Sequence, residues 1–184
     1  MNYIIRRAAI SDAIALSVLA RETFQDTYAV HNTDEDMRLH LGQKYTPERQ
    51  RQELQHPDWL TIVAAYGAQL IAYAQGRFGP APSCVERQTP LPRKPWEIHR
   101  FYVHRDWHGR GLASKLMDHV RSAALDAGAD LIWLGVWNRN ERARAFYLKC
   151  GFSPIGETTF TLGRDVQTDI VMVAPMALRQ ADTF

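Results

Sequence analysis

"VHRDWHGRGLASKLM", residues Val103–Met117, sets two nearly adjacent glycines directly before a stretch of helical periodicity. Upstream, "WEIHRFYVH" reads as a strand; downstream, Leu112, Ala113, Leu116, Met117, Val120, Ala124 and Ala127 fall on one helical face. Strand, glycine turn and helix in that order are either punctuation or a grip for an anion. Two nucleotide-binding patterns fail on the residues themselves. The dinucleotide fingerprint G-x-G-x-x-G meets Ser114 where its third glycine belongs, and no acidic residue ends the next apolar run, "LIWLGVW". The phosphate loop G-x-x-x-x-G-K-[ST] is absent. What remains is a helix N-terminus whose first N–H groups lack intrahelical acceptors and carry partial positive charge. Glycine lets a phosphate approach that backbone with no Cβ in the way, and Arg105, Arg110 and Lys115 can add charge. Such a turn suits a pyrophosphate.

Composition bounds the rest. The chain has 184 residues, 46% hydrophobic and 23% charged, enough for a single domain over 1–184 with a sizeable core. A formal charge of +2 is too mild to argue for a nucleic-acid partner. Cys84 and Cys150 are far apart, without metal-ligand spacing or a recognised nucleophile signature, so a reducing compartment is expected. No apolar run has the length of a signal peptide or a membrane span, and the expectation is a soluble, cytoplasmic protein with no membrane partner. His104 and His108 are four apart but straddle strand end and turn, so no metal is expected.

Working outward, "NYIIRRA" reads as a first strand, and Ser11 as the cap of a helix with Ile14, Leu16, Val18, Leu19 and Phe24 at helical spacing. Thr33 with Asp36 makes a capping-box-like start for a second helix, and Thr46-Pro47 starts a third. "WLTIVAAY" and "LIAYAQGRF" form a hairpin. Residues 79–95 hold five prolines and no periodicity, and read as a loop. "LIWLGVW" is a strand buried on both faces, "NERARAFYLKC" a helix stopped by Gly151, and "SPIGETTFTL" with "VQTDIVMVAPM" a closing pair. A strand–helix–strand unit in the middle implies a parallel pair inside a mixed sheet, hence an α/β (α+β) class.

The quoted stretch resembles the acetyl-CoA-binding motif Q/R-x-x-G-x-G/A of the GCN5-related N-acetyltransferases (GNAT), with His108 at the first position and Gly111 and Ala113 at the other two. A second signature of that family, N-x-x-A-x-x-x-Y followed by G-F, is matched by Asn140, Ala143, Tyr147 and Gly151-Phe152. "RETFQDTY", "DEDM", "IWLGVW", "NERARAFYLKCGF" and "DVQTDIVM" are similar to the PaiA-type spermidine/spermine N-acetyltransferases over nearly the whole chain. The resemblance implies the GNAT fold: a mixed sheet of about six or seven strands, with a splayed parallel pair and flanking helices. It implies acetyl-CoA as cosubstrate, direct attack on the thioester and a primary amine such as a polyamine as acceptor, the alternatives being a protein, peptide, amino-acid or antibiotic amine, or an acyl-CoA-binding protein without turnover. Family members are often dimers, and an edge strand near the C-terminus could pair with a second copy.

Carried onto this sequence, the backbone of Phe101, Tyr102 and Val103 would hold the pantetheine arm. The amides of His108, Gly109, Arg110, Gly111, Leu112 and Ala113 would hold the pyrophosphate, with His108 acting through its backbone, and Asn140 would bind the arm from the other side. Tyr147 would protonate the leaving thiolate, and a backbone N–H of the splayed strand would stabilise the oxyanion. Because aliphatic amines are protonated near neutrality, a base is needed. Glu97 is the first candidate and His99 its alternative or partner, period-two alternation placing both on one face with Phe101 and Val103. Either could equally belong to a polar sheet face, or pair with Arg100 or Arg93. For the acceptor, Asp26 and Tyr28 stand out, with Phe24 available for cation–π contact. Asp34, Glu35 and Asp36 read better as helix caps facing water.

Overall fold

The structure, a computed structural model, describes residues 2–88 and 92–176. The strands are β1 (Ile4–Arg7), β2 (Trp59–Tyr66), β3 (Gln69–Phe78), β4 (Pro95–Val103), β5 (Leu131–Trp137), β6 (Ser153–Leu162) and β7 (Asp165–Pro175). They form one sheet in the order β1-β2-β3-β4-β5-β7-β6. The helices are α1 (Ala13–Tyr28), α2 (Asp34–Lys44), α3 (Pro47–Gln55), α4 (Ser83–Glu86), α5 (Leu112–Asp126) and α6 (Glu141–Lys149).

Alternation along the strands splits the core between two faces. Ile62 and Ala64 join Trp96, Ile132, Leu112, Leu116 and Tyr147 beneath α5 and α6. Val63 and Ala65 join Leu16, Leu19, Phe24, Met37 and Leu41 beneath α1 and α2. Helices therefore cover both faces.

Several local expectations hold. Thr33 Oγ1 accepts the Asp36 amide at 3.2 Å, and Thr46 Oγ1 accepts that of Arg49 at 3.1 Å. Asp36 does more than cap. Its Oδ1 accepts the Arg164 amide at 2.7 Å, pinning the β6–β7 turn to α2. Glycine is required in that turn, since a Cβ on Gly163 would lie 2.6 Å from the Asp36 Cα.

Other expectations need correction. Ser11 lies in a 3-10 turn (Ile10–Asp12) that precedes α1 and does not cap it. Ile14 and Val18 are 63% and 51% exposed, because α1 seats Leu16, Leu19, Ala20 and Phe24 on the sheet and turns the Ile14–Val18 stripe outward. Ala127 is exposed just past α5. The proline-rich stretch holds a short helix, α4, whose Val85 is fully buried; residues 89–91 of it lie outside the described part.

Two departures from regular pairing make the site. β4 and β5 run parallel only from Pro95–Leu131 to Glu97–Trp133, then continue without pairing to Val103 and Trp137. The register between β3 and β4 also slips: Gln75 pairs with Arg100 but Gly76 with Ile98, so His99 is an extra residue in a bulge. The bulge overturns the expected face. Trp96 and Ile98, then Phe101 and Val103, point to the α5/α6 core. Arg100 instead packs over Tyr45 and Trp59 on the opposite side, where His99 also meets Trp59. Glu97 and His99 thus do not share a face with Phe101 and Val103.

Candidate functional site

The gap between β4 and β5 opens to both faces of the sheet. On the α5/α6 side lies a cleft of about 840 Å³ lined by Phe101, Tyr102, Val103, His108, Gly109, Gly111, Leu112, Ala113, Asn140 and Tyr147, among others. On the α1/α3 side lies one of about 480 Å³ lined by Tyr28, Tyr45, Trp59, Arg77, Glu97, His99, Arg100 and Asp169, among others. Phe101, Tyr102, Asn140, Ala143 and Tyr147 line both. The two clefts meet at the splay.

The larger cleft is built by local chain geometry. Gly109 and Gly111 sit at φ +72° and +75°, the left-handed region that side chains disfavour, and Gly111 is the N-cap of α5. A Cβ at either would meet nothing within 4 Å, so these glycines answer to backbone conformation and leave open space above the turn. The N–H groups of Leu112, Ala113 and Ser114, in the first turn of α5, have no intrahelical acceptor. That turn fits a pyrophosphate. Leu112 buries its side chain in the core and offers only backbone.

His108 differs from expectation. Its amide already donates to the Arg105 carbonyl at 3.1 Å, so it is spent within the turn. Its ring bridges instead: Nε2 lies 2.8 Å from the Val103 carbonyl and Nδ1 2.9 Å from an Arg142 guanidinium nitrogen. The neutral tautomer protonated on Nε2 satisfies both contacts. The imidazole therefore ties the turn to β4 and α6. Arg110 sends its guanidinium over Trp107, 5.5 Å from the ring centre, and does not line the cleft. Asp26, expected beside the acceptor, is paired with Arg105 at 3.3 Å and lines this cleft and not the smaller one.

The second sequence signature resolves into two ends of one helix. Asn140 caps α6, its Oδ1 accepting the Ala143 amide at 3.1 Å, which leaves its Nδ2 to meet a ligand. At the other end the Gly151 amide donates to the Leu148 carbonyl and that of Phe152 to the Tyr147 carbonyl, both 3.0 Å, with Gly151 at φ +81°. This is a Schellman stop, and its apolar contact is Tyr147 on Phe152, ring centres 5.7 Å apart. Cap and stop fix the height at which Tyr147 enters the splay, beside Phe101. Burial, aided by Tyr28 and Cys150, raises the Tyr147 pKa, so the phenol stays protonated.

The smaller cleft is built from side chains distant in sequence. Glu97 is gripped by Arg77 at 2.6 Å and His99 at 2.9 Å. Burial pulls its pKa up, but those two partners outweigh burial and hold it low. For His99 burial wins over the Glu97 bond and lowers the pKa, so the ring is neutral near pH 7. With Nδ1–H directed at Glu97, its Nε2 is the lone-pair nitrogen. Beneath them Arg100 bonds Glu53 and Gln75, each at 2.5 Å, in a buried network that anchors α3 to the sheet. Sequence reasoning missed three residues here. His40 stacks on Phe24 at 4.6 Å, and burial drives its pKa down to about 4. Tyr45 lies under Arg100. Asp169 is the third, its pKa raised to about 6 by burial. The strand was legible as "VQTDIVMVAPM", but alternation alone could not say which residue faces the cleft.

Among the described residues, no three His, Cys, Asp or Glu side chains gather as a metal site, and no helix is long and apolar enough to cross a membrane. The His104 ring, beside the Asp106 amide and Glu22, has partners separate from those of His108. Cys150 is a free thiol whose pKa burial raises, without the activation a nucleophile needs.

The sequence profile of the acetyltransferase (GNAT) family matches residues 20–152. An uncharacterized N-acetyltransferase of Mycobacterium bovis is 30% identical over 164 residues, 89% of this chain and 97% of its own. An uncharacterized N-acetyltransferase of Lactobacillus delbrueckii subsp. lactis is 29% identical over 154 residues, 84% of this chain and 86% of its own. Among solved structures, the PaiA N-acetyltransferase of Thermoplasma acidophilum in complex with coenzyme A superposes with a TM-score of 0.75 at 21% identity, covering 95% of this chain and 99% of that one. The chain belongs to the GNAT acetyltransferase family; it is an acetyl-CoA-dependent N-acetyltransferase.

Proposed function

We propose that acetyl-CoA occupies the larger cleft, that a primary amine enters from the smaller one, and that transfer takes place where the two meet beside Tyr147. The observation that carries this reading is the through-sheet opening: Tyr147 and Phe101 line both clefts. Bound acetyl-CoA supplies an acetyl thioester. The α5 turn at Gly109–Ala113 holds its pyrophosphate, the edges of β4 at Phe101–Val103 hold the arm, and Asn140 meets the arm through Nδ2.

Tyr147, kept protonated by burial, gives its phenolic proton to the departing thiolate. His99 takes the proton from the attacking nitrogen, directly or through water, at Nε2. Glu97 orients it and is itself too firmly held by Arg77 to be the base. This assignment reverses the order in which sequence ranked the two residues. Tyr28 stays on the acceptor side, hydrogen-bonded to Tyr102 and packed on Trp137.

For the acceptor, the resemblance to PaiA-type enzymes supports a polyamine such as spermidine or spermine. A second reading, an amine that also bears a carboxylate such as an amino acid or peptide, is supported by Lys44, which lines the same cleft. A thiol-release screen with acetyl-CoA against spermidine, spermine, diamines, amino acids and peptides tests both. Turnover of polyamines alone upholds the first. Turnover of carboxylate-bearing amines alone replaces it with the second, and no turnover with any amine defeats the transfer reading.

A further inference from the structure

Two carboxylates line the smaller cleft, Glu97 and Asp169, and they differ in company. Glu97 is neutralised by Arg77 and braced by His99. The Asp169 carboxylate has no side-chain hydrogen bond or ion pair among the described residues. It lies on β7, with Trp137 of β5 on one side and Thr158 of β6 on the other. Tyr28 of α1 packs on Trp137, ring centres 5.5 Å apart, and is the titratable group that senses the carboxylate. The space beside the carboxylate is kept clear by Gly135, where a Cβ would come within 3.2 Å of Oδ2. Gly135 lies beyond the last β4–β5 pair, in the opened part of the sheet, and lines the same cleft as Tyr147.

A carboxylate taken out of water without a cation is costly to the fold, and a sequence keeps one more readily when a ligand provides the charge. The guanidiniums of the cleft are committed elsewhere, Arg77 to Glu97 and Arg49 and Arg100 to Glu53. Aromatic walls from Tyr28, backed by Trp137, and from Tyr102 complete a pocket suited to an alkylammonium, through cation–π contact and partial desolvation. We infer that Asp169 receives an ammonium group of the acceptor, the aromatic wall and the vacant side of Gly135 admitting an unbranched alkyl amine to it. The inference rests on the proposed entry of the amine through this cleft, and it serves either acceptor class.

The test is calorimetry on the coenzyme A-loaded protein with three six-carbon probes: hexylamine, 1,6-diaminohexane and 6-aminohexanoate. The wild type should bind at least one of them. Asp169→Asn should weaken that binding about tenfold or more, as expected for loss of one desolvated ion pair, while acetyl-CoA affinity stays within about twofold. Its melting temperature at pH 8 should rise, because a partly desolvated charge has been removed. A merely structural carboxylate would not give weaker amine binding together with higher stability. Unchanged amine affinity in Asp169→Asn, a parallel loss of acetyl-CoA affinity, or a wild type that binds no probe would each overturn the inference. Amine binding that depends on Asp169 without thiol release from acetyl-CoA would defeat the transfer reading and leave the Asp169 assignment standing.

Discussion

The two clefts that meet at Tyr147 are made of different materials. The larger is a backbone site: a left-handed glycine, a helix start and the open edge of a strand, with Asn140 set by a cap and Tyr147 by a helix stop. The smaller is a side-chain site in which Glu97, His99, Arg77, Tyr28, His40 and Asp169 come from five separate elements. Backbone geometry needs only a short run of chain to be specified, so one site can serve one ligand with little dependence on the rest of the sequence. Side-chain convergence needs the whole sheet. A common cofactor with a variable acceptor is what that difference would produce.

The contrast can be attacked from its strongest point downward. Tyr147→Phe should lower kcat by ~100-fold or more while the Kd for acetyl-CoA moves less than about threefold, because one phenolic oxygen is lost and the packing on Phe101 and Phe152 is kept. Equal losses in both would make the phenol part of the cofactor site. Next, Gly111→Val should reduce acetyl-CoA affinity by roughly tenfold or more and destabilise the fold by about 1–2 kcal/mol, since a β-branched residue is forced to φ +75° and its side chain enters the open space over the turn. Retained affinity would mean that the turn is punctuation after all.

In the acceptor cleft, His99→Gln should depress kcat by ~10- to 100-fold, and Glu97→Gln by less, with the acid limb of the kcat/KM profile displaced in the latter. A deeper loss for Glu97→Gln would restore the carboxylate as base.

Two other cleft residues carry opposite pH signatures. Burial raises the Asp169 pKa from its ordinary 3.8 to about 6, so the folded state binds that proton more tightly than the unfolded chain. Its burden is absent below about pH 4 and grows as pH rises through 6. Asp169→Asn should therefore add roughly 1–2 kcal/mol at pH 8, a melting shift of about 2–6 °C, and nothing at pH 4. His40 runs the other way. Burial lowers its pKa from 6.5 to about 4, so its contribution is whole above pH 6.5 and is lost as pH falls toward 4. His40→Phe, an aromatic for an aromatic beside Phe24 and Phe160, should flatten that acid loss in melts between pH 7 and 4. The smallest expected effect is His108→Gln: a glutamine can keep one of the two ring bonds, so acetyl-CoA affinity should change less than about threefold. A larger loss would show that the imidazole bridge shapes the cradle.

Much was legible in sequence wherever a few neighbouring residues settle the matter. The caps at Thr33, Thr46 and Asn140, the stop at Gly151, the glycine turn and the hairpin ending in Phe78 each depend on hydrogen bonds or φ values within a handful of positions. From those, the order of elements followed. Four points could not be had that way. Alternation assumed a regular β4, but the extra residue at His99 turned Glu97 and His99 away from the face of Phe101 and Val103. Asp26, near an aromatic pair in sequence, is drawn to Arg105, a partner 79 residues away. The His108 amide is consumed by a turn bond that no motif encodes. Asp169 and His40 become unusual only through burial by elements that sequence cannot bring together. Hydrogen bonds of short range are written in the order of residues, and so the sequence alone determined the glycine turn and the helix start that follows it. Desolvation and charge pairing depend on which distant side chains share a cavity, and so only the tertiary structure decided which of them line the smaller cleft.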